Sequence, residues 1–199
     1  LILCVVLVAV VSLLLSSLLY ISFEKAIAAQ NATFIQGNLE KTANSARFMA
    51  EWVRTIAIQT LYDNEVTRLL SYGGYNQQNV AIARRRLSSI RQASPYIAGI
   101  YLYNGNTGQI YSDIGSLFAY TRETFFDEAV FQYIDDTSAR HHLVPIPRIM
   151  RYARNGTGDM TGDVFTFVLY ENPNRRGEDD NVILVNISRQ WLDHAIRSF

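Results

Sequence analysis

Cysteine, histidine and proline are all scarce in this chain of 199 residues: one Cys, three His and four Pro. A single Cys excludes a disulfide framework and a thiolate zinc cluster. Four Pro and 11 Gly are too few for a linker or a low-complexity chain. Neither sign of charge dominates, with 18 basic and 18 acidic residues, so nothing draws the chain as a whole to nucleic acid, and no nucleic-acid partner is expected. Walker, dinucleotide-Gly, HExxH, CxxC and GxSxG patterns are all absent. With no nucleophile–base or metal-ligand spacing, no catalytic residue, no cofactor and no enzymatic activity are expected. His141-His142 is the one histidine pair, but adjacent residues on a strand point apart and no Cys lies near. Glu178-Asp179-Asp180 lacks the alternating oxygen ligands and the Gly of a calcium loop. No metal site is expected at either place.

Charge is missing from the start of the chain, where none precedes Glu24. An apolar run of about 20 residues is long enough to cross a bilayer as a helix, which predicts a transmembrane helix over residues 1–22 with the lipid bilayer as partner. Tyr20 and Phe23 fall where interfacial aromatics sit. The competing reading is a cleaved signal peptide, since Ala26-Ile27-Ala28 resembles its cleavage site. Against it, the run exceeds the usual core of about 7–15 residues, and Glu24 and Lys25 intrude. Cys4 lies inside the run as a small apolar residue. The chain begins at Leu1 and stops at Phe199 inside a predicted helix, so a longer parent protein is expected.

Proline is also absent before Pro95. Phe23–Tyr72 is predicted as one helix, with Ile35, Leu39, Ala43, Ala46, Met49, Val53, Ile56 and Leu61 on one face and Gly73-Gly74 ending it. About 50 residues at about 1.5 Å each make a stalk of about 75 Å. Residues 23–74 are therefore expected to form a stalk that packs on the domain following it or on a second copy, giving a homodimer. A second helix is predicted over Asn76–Ser94, closed by Pro95. It carries Arg84-Arg85-Arg86, which reads as a solvated helix face rather than as a phosphate or lipid site.

The period then changes. Tyr96–Tyr103 and Gln109–Asp113 are predicted strands around the turn Asn104–Gly108. Thr124 with Asp127 forms a weak capping box opening a helix that exits at Asp135-Asp136. Pro145–Tyr152, Val164–Tyr170 and Val182–Ile187 are further strands, with a polar hairpin loop over Asn172–Asn181. Ser188 caps a last helix. Five strands in one antiparallel sheet, joined by hairpins and covered by helices, make an α+β layer architecture. Asn186 heads an Asn-Ile-Ser glycosylation triplet, but it lies in a strand, where a glycan would not fit.

Several phrases carry a resemblance: the Pro95-Tyr96-Ile97 junction, Ile100–Asn104, Ile110–Asp113, Pro145–Arg148, Val164–Glu171 and Val182–Leu192. Together with the element order they resemble the Cache domain, a PAS-like extracytoplasmic sensor of bacterial receptors. The phrases look most like the sensor regions of membrane-anchored AraC-type transcription regulators and of related sensor histidine kinases. The resemblance implies a Cache-like lobe over residues 75–199, an extracellular location and an unknown small-molecule ligand. A double-Cache protein would carry a second lobe and a second span beyond Phe199. The Arg-x-x-Trp-Tyr type of phrase of amino-acid-sensing double Cache domains is not present.

If the lobe binds a ligand on its sheet, as the resemblance implies, Tyr101, Tyr103 and Tyr111 offer aromatic walls with hydroxyl tips. Arg148 offers a fork for a carboxylate. The alternative is that the tyrosines pack the core and Arg148 pairs with an acid such as Asp127.

Overall fold

The computed structural model describes residues 2–71, 77–115, 119–136, 143–152, 160–172 and 180–197, excepting the side chains of residues 2–11, 14, 196 and 197. Gly73-Gly74, His141-His142, Asn155–Gly158 and most of the Asn172–Asn181 loop lie outside the described residues. The chain divides into two units, Leu1–Ser45 and Ala46–Ser198, the second with the great majority of internal packing.

Helix α1 runs Ile2–Leu61 and crosses that division. In the first unit its described apolar side chains, among them Phe23, Phe34, Ile35 and Leu39, are exposed. Most side chains of the expected membrane span lie outside the described residues. Among the described residues no helix is long and apolar enough to cross a membrane. The described part of the apolar run, from Ser12 to Phe23, is shorter than the roughly 20 residues a span needs.

In the second unit, α1 buries Met49, Val53, Ala57 and Leu61, the stripe at three- and four-residue spacing that an amphipathic helix presents to a core. Thr60 also lies in this stripe and is buried, but its hydroxyl donates to the Ile56 carbonyl at 2.7 Å, so no polar group is stranded. The helix expected to reach Tyr72, continuous or nearly so with a bend near Gly37, is instead broken further along. The helix stops at Leu61, turns at Tyr62-Asp63 and restarts as α2, Asn64–Ser71. Asp63 explains the break: its Oδ1 accepts the Glu65 amide at 3.1 Å, as an N-cap carboxylate does. Its Oδ2 accepts Arg86 Nε at 2.8 Å.

After α3, Gln77–Gln92, the sheet begins with β1, Ile97–Asn104, and β2, Gln109–Ser112. A 3₁₀ turn over Glu128–Val130 leads into the short α4, Phe131–Asp135. Then come β3, Ile146–Tyr152, β4, Met160–Tyr170, β5, Val182–Ser188, and α5, Gln190–Arg197. All five strands are antiparallel neighbours in the order β2-β1-β5-β4-β3. Hairpins alone would not give that order: the first and last strands meet at the centre, with Tyr101 opposite Leu184, and the connection from β2 to β3 crosses the sheet. β5 is buried on both faces along almost its whole length, as a central strand must be.

Strand alternation sorts the core into two layers. Ile100, Leu102, Tyr111, Phe167, Ile183, Val185 and Ile187 share one cluster with α1, α2 and α3. Tyr101, Tyr103, Met150, Val164 and Leu184 share the other with Tyr120, Phe125, Val130, Phe131 and Ile134. The second face is thus covered by the segment around the 3₁₀ turn and α4. The predicted helix opening at Thr124 is a second correction. Thr124 Oγ1 accepts the Thr121 amide at 2.8 Å in a preceding turn, and Asp127 makes no side-chain cap. Its carboxylate is engaged elsewhere.

Burial of the α1 stripe makes a specific prediction. Val53→Asp should cost several kcal/mol, because an unpaired carboxylate would replace a fully buried valine. Gln59→Asp, on the exposed side, should change stability by less than about 0.5 kcal/mol. Urea unfolding of the two variants checks the difference, and equal losses would overturn the assigned face.

Candidate functional site

Four strands of the sheet each contribute a polar side chain to one network on the face covered by α4. β1 contributes Tyr101, β3 Arg148, β4 Thr166 and β5 Asn186. Thr166 and Asn186 are directly opposite each other in the ladder, while Arg148 lies diagonally from Thr166, within reach of a long side chain. The Arg148 guanidinium makes three different bonds. Nε donates to Thr166 Oγ1 at 2.6 Å, and Nη2 donates to Asn186 Oδ1 at 2.9 Å. Nη1 meets the Asp127 carboxylate, 2.9 Å from Oδ1 and 2.8 Å from Oδ2. Tyr101 Oη donates to Asp127 Oδ2 at 3.1 Å. Thr166 passes its own proton to Asn186 Oδ1 at 2.6 Å, and Asn186 Nδ2 reaches the Gly99 carbonyl at 3.3 Å.

Every polar partner in this network is buried. The Arg148 side chain is 4% exposed and that of Asp127 1%. Burial, then the Asp127 charge, pushes the Tyr101 hydroxyl well above its ordinary value, so it stays protonated and serves as a donor. Such a cradle offers donors to one carboxylate, in the manner of charge-assisted bonds. Beside Asp127 a cavity of about 640 Å³ opens, with Glu128, Gln132, Ile149, Arg151 and Thr161 in its walls. A smaller one of about 330 Å³ lies across β3, against Phe165, Arg189 and Leu192.

The four residues singled out in the sequence fall in different places. Tyr101 and Arg148 meet through Asp127. Tyr103 is on the same face but packs edge-on against Phe131, with ring centroids 6.4 Å apart. Tyr111 lies in the opposite layer, under the helices, with its hydroxyl on Gln109 Oε1 at 2.8 Å. The structure therefore does not gather the three tyrosines into one wall. Thr166, Asn186 and Asp127 were not singled out as site residues. The signal for the first two was a Thr and an Asn at inward-facing positions of otherwise apolar strands, where a polar group needs a buried partner.

The arginine triplet has a structural use. Arg84 donates to the carbonyls of Ser112 at 3.0 Å and Gly115 at 2.8 Å, and Arg86 pairs with Asp63, while Arg85 is exposed. Arg91, one further turn pair along α3, meets the buried Asp113 carboxylate, whose Oδ1 accepts the Ile100 amide at 2.7 Å. These contacts tie α3 to the end of the first hairpin. Among the described residues no cluster of three His, Cys, Asp or Glu could hold a metal ion.

No protein-family model matches the chain, and no curated protein matches it in sequence. Solved structures do match. One is described as the extracellular domain of a histidine kinase, vpHK1S-Z8, at 12% identity and a TM-score of 0.59, over 85% of this chain and 63% of that one. Another is a domain of a sensory box/GGDEF family protein from Vibrio parahaemolyticus, at 12% identity, TM-score 0.48, over 76% and 57%. A third is the sensory domain of the Campylobacter jejuni chemoreceptor Tlp3 with isoleucine bound, at 11% identity, TM-score 0.32, over 77% and 53%. The chain spans less than two thirds of the length of each. At such identity the first likeness is one of fold: an α+β fold with a long N-terminal helix and a five-stranded antiparallel sheet.

Two predictions follow from the buried charges. Arg148→Met should destabilise the protein by about 3–5 kcal/mol, because Asp127 is left buried without its partner. Urea unfolding at neutral pH measures it, and a loss below about 1 kcal/mol would mean that water reaches the pair. The second concerns Asp113, whose carboxyl is held above its ordinary value by burial, with the Ile100 amide and Arg91 pulling it down. A raised folded value means full support below the unfolded value of about 4 and loss of that support as pH rises through the folded value. Asp113→Asn should therefore look worst near pH 4 and recover relative to the wild type at pH 7. An identical wild-type-to-variant difference at both pH values would overturn this account.

Proposed function

We propose that this chain is the extracytoplasmic small-molecule-sensing part of a membrane-anchored bacterial signalling protein, most specifically an AraC-type transcription regulator. In this reading residues 1–22 anchor the chain in the bilayer, residues 23–74 form the stalk, and residues 75–199 form the Cache-like lobe outside the cell. The stalk pairs with that of a second copy, and the chain itself is not an enzyme. The observation that carries the sensor reading is the second sheet face. It is covered by a short segment rather than by a long helix, and it holds a buried polar cradle beside an open cavity. Sensor folds need such a cover if a ligand is to alter what lies beneath it. The AraC assignment rests on the sequence phrases alone. A histidine kinase is the second reading, favoured by the fold likeness to a histidine kinase extracellular domain.

A melting screen of the full chain in detergent micelles tests the sensing role. A metabolite present at 100 times its Kd adds about 2.7 kcal/mol, which raises Tm by about 5–11 °C in a domain of this size, at about 2–4 °C per kcal/mol. Protease added to intact protoplasts should remove the lobe. If no compound of any class raises Tm, the lobe is a spacer or dimerisation module, and full protection from protease would reverse the topology.

A further inference from the structure

We propose that the cradle formed by Tyr101, Arg148, Thr166 and Asn186 is a carboxylate-binding site that Asp127 fills in the ligand-free protein. A small carboxylate ligand, in displacing Asp127, releases the Thr121–Asp136 cover. The proposal rests on the sensor reading above and names its ligand class and its switch.

The cradle is built on four hydrogen-bonded strands, whereas its fifth member comes from outside the sheet. Asp127 precedes a single 3₁₀ turn and adopts φ −111°, ψ 61° without capping it. The side chain has left the position that local helix chemistry favours and turned to the sheet. What it presents there is one carboxylate, received by Arg148 Nη1 on both oxygens, by Tyr101 Oη, and at 3.5 Å by the Arg151 amide. A free carboxylate offers the same two oxygens, so the same donors serve it. Nothing else in the cradle would have to change, because Arg148 is held at its other nitrogens by Thr166 and Asn186.

Access and release are both present. The cavity of about 640 Å³ includes Asp127 in its wall, so a ligand lodged there is next to the carboxylate it must replace. Arg151 also lines it, exposed and without an ion-pair partner among the described residues, while the exposed Glu128 is the opposing charge. Asp127 is one polar tie of the cover to the sheet. Tyr170 Oη is another, 3.1, 2.8 and 3.2 Å from the carbonyls of Tyr133, Ile134 and Asp136, and Arg122 bonds to Tyr103. Helices this short have little stability of their own, so freeing Asp127 leaves the segment held by Tyr170, Arg122 and the packing of Phe125, Phe126 and Phe131.

An internal carboxylate competes with a ligand, and the apparent affinity falls by the fraction of molecules in which the cradle is open. Removing the competitor must therefore tighten binding. This sign separates the proposal from a ligand-contacting Asp127, where the substitution gains nothing; a purely structural pair is separated by the wild-type chain, because an unpaired Arg148 beside the space left in Asp127→Ala takes up a small carboxylate in either case. The test is calorimetric titration of the full chain in detergent micelles with succinate and with formate as probes. Asp127→Ala should bind succinate at least tenfold more tightly than the wild type, and formate should raise its Tm while leaving that of Asp127→Ala/Arg148→Met unmoved. Amide exchange of the wild-type chain decides the matter whether or not Asp127→Ala folds: succinate should speed exchange across Thr121–Asp136. Equal or weaker succinate binding by a folded Asp127→Ala, or unchanged or slower exchange in the wild type, overturns the proposal. A Tm rise produced only by uncharged or cationic metabolites keeps the sensor reading and sinks the carboxylate switch. No rise with any class removes both.

Discussion

Withdrawing a guanidinium and a carboxylate from water costs several kcal/mol per ion before their attraction is counted. At Arg148 and Asp127 that cost is met by a geometry in which every Arg148 nitrogen has a partner and both Asp127 oxygens are engaged. The rest of this sheet face depends on the pair. It fixes where the segment after β2 crosses the sheet, and so which aromatic residues lie over Tyr101. Phe125 and Phe126 flank Asp127 closely in sequence and pack edge-on to Tyr101, at 5.0 and 6.2 Å between ring centroids. A fold that needed only coverage could have used apolar residues here at no loss. The ionic pair gives the cover one registered position.

The opposite face is stabilised differently. There α1, α2 and α3 supply an apolar layer, and the polar ties sit at its edges: Asp63 at the break between helices, Arg84 and Arg91 at the end of the first hairpin, and the Asn104 amide on the Leu70 carbonyl at 3.2 Å. Gly115 belongs to this edge. Its φ is +97°, and a Cβ there would collide with the Tyr120 hydroxyl, so the chain can bring the Arg84-bound carbonyl and the start of the cover together only at a glycine. One face is thus held by packing over a wide area and the other by a short cover tied to the sheet through Asp127 and Tyr170.

Much of this was legible before any coordinates. The strands over Val164–Tyr170 and Val182–Ile187, the helix after Asn76 and the stripe through Met49 and Val53 follow from apolar period alone, since a period of 2 or 3.6 is a local property. The acid opposite Arg148 was named among the alternatives because a buried arginine needs one. The break at Asp63 is not legible in the sequence, because an aspartate N-cap is a single residue inside a long helical pattern. Thr124 and Asp127 carried the spacing of a capping box that the chain does not use.

The sequence by itself determined most of the segments that are helix or strand and which of their faces are apolar, and it offered an acid such as Asp127 as one of two roles for Arg148. Tertiary structure alone decided the order β2-β1-β5-β4-β3, the separation of Tyr111 from Tyr101 and Tyr103, and the meeting of Arg148 with Asp127, Thr166 and Asn186. Those partners lie 21, 18 and 38 residues from Arg148. Local pattern cannot choose among distant partners, because which side chains meet depends on strand pairing across the whole sheet, and a shift of register by one residue would carry each of them to the other face.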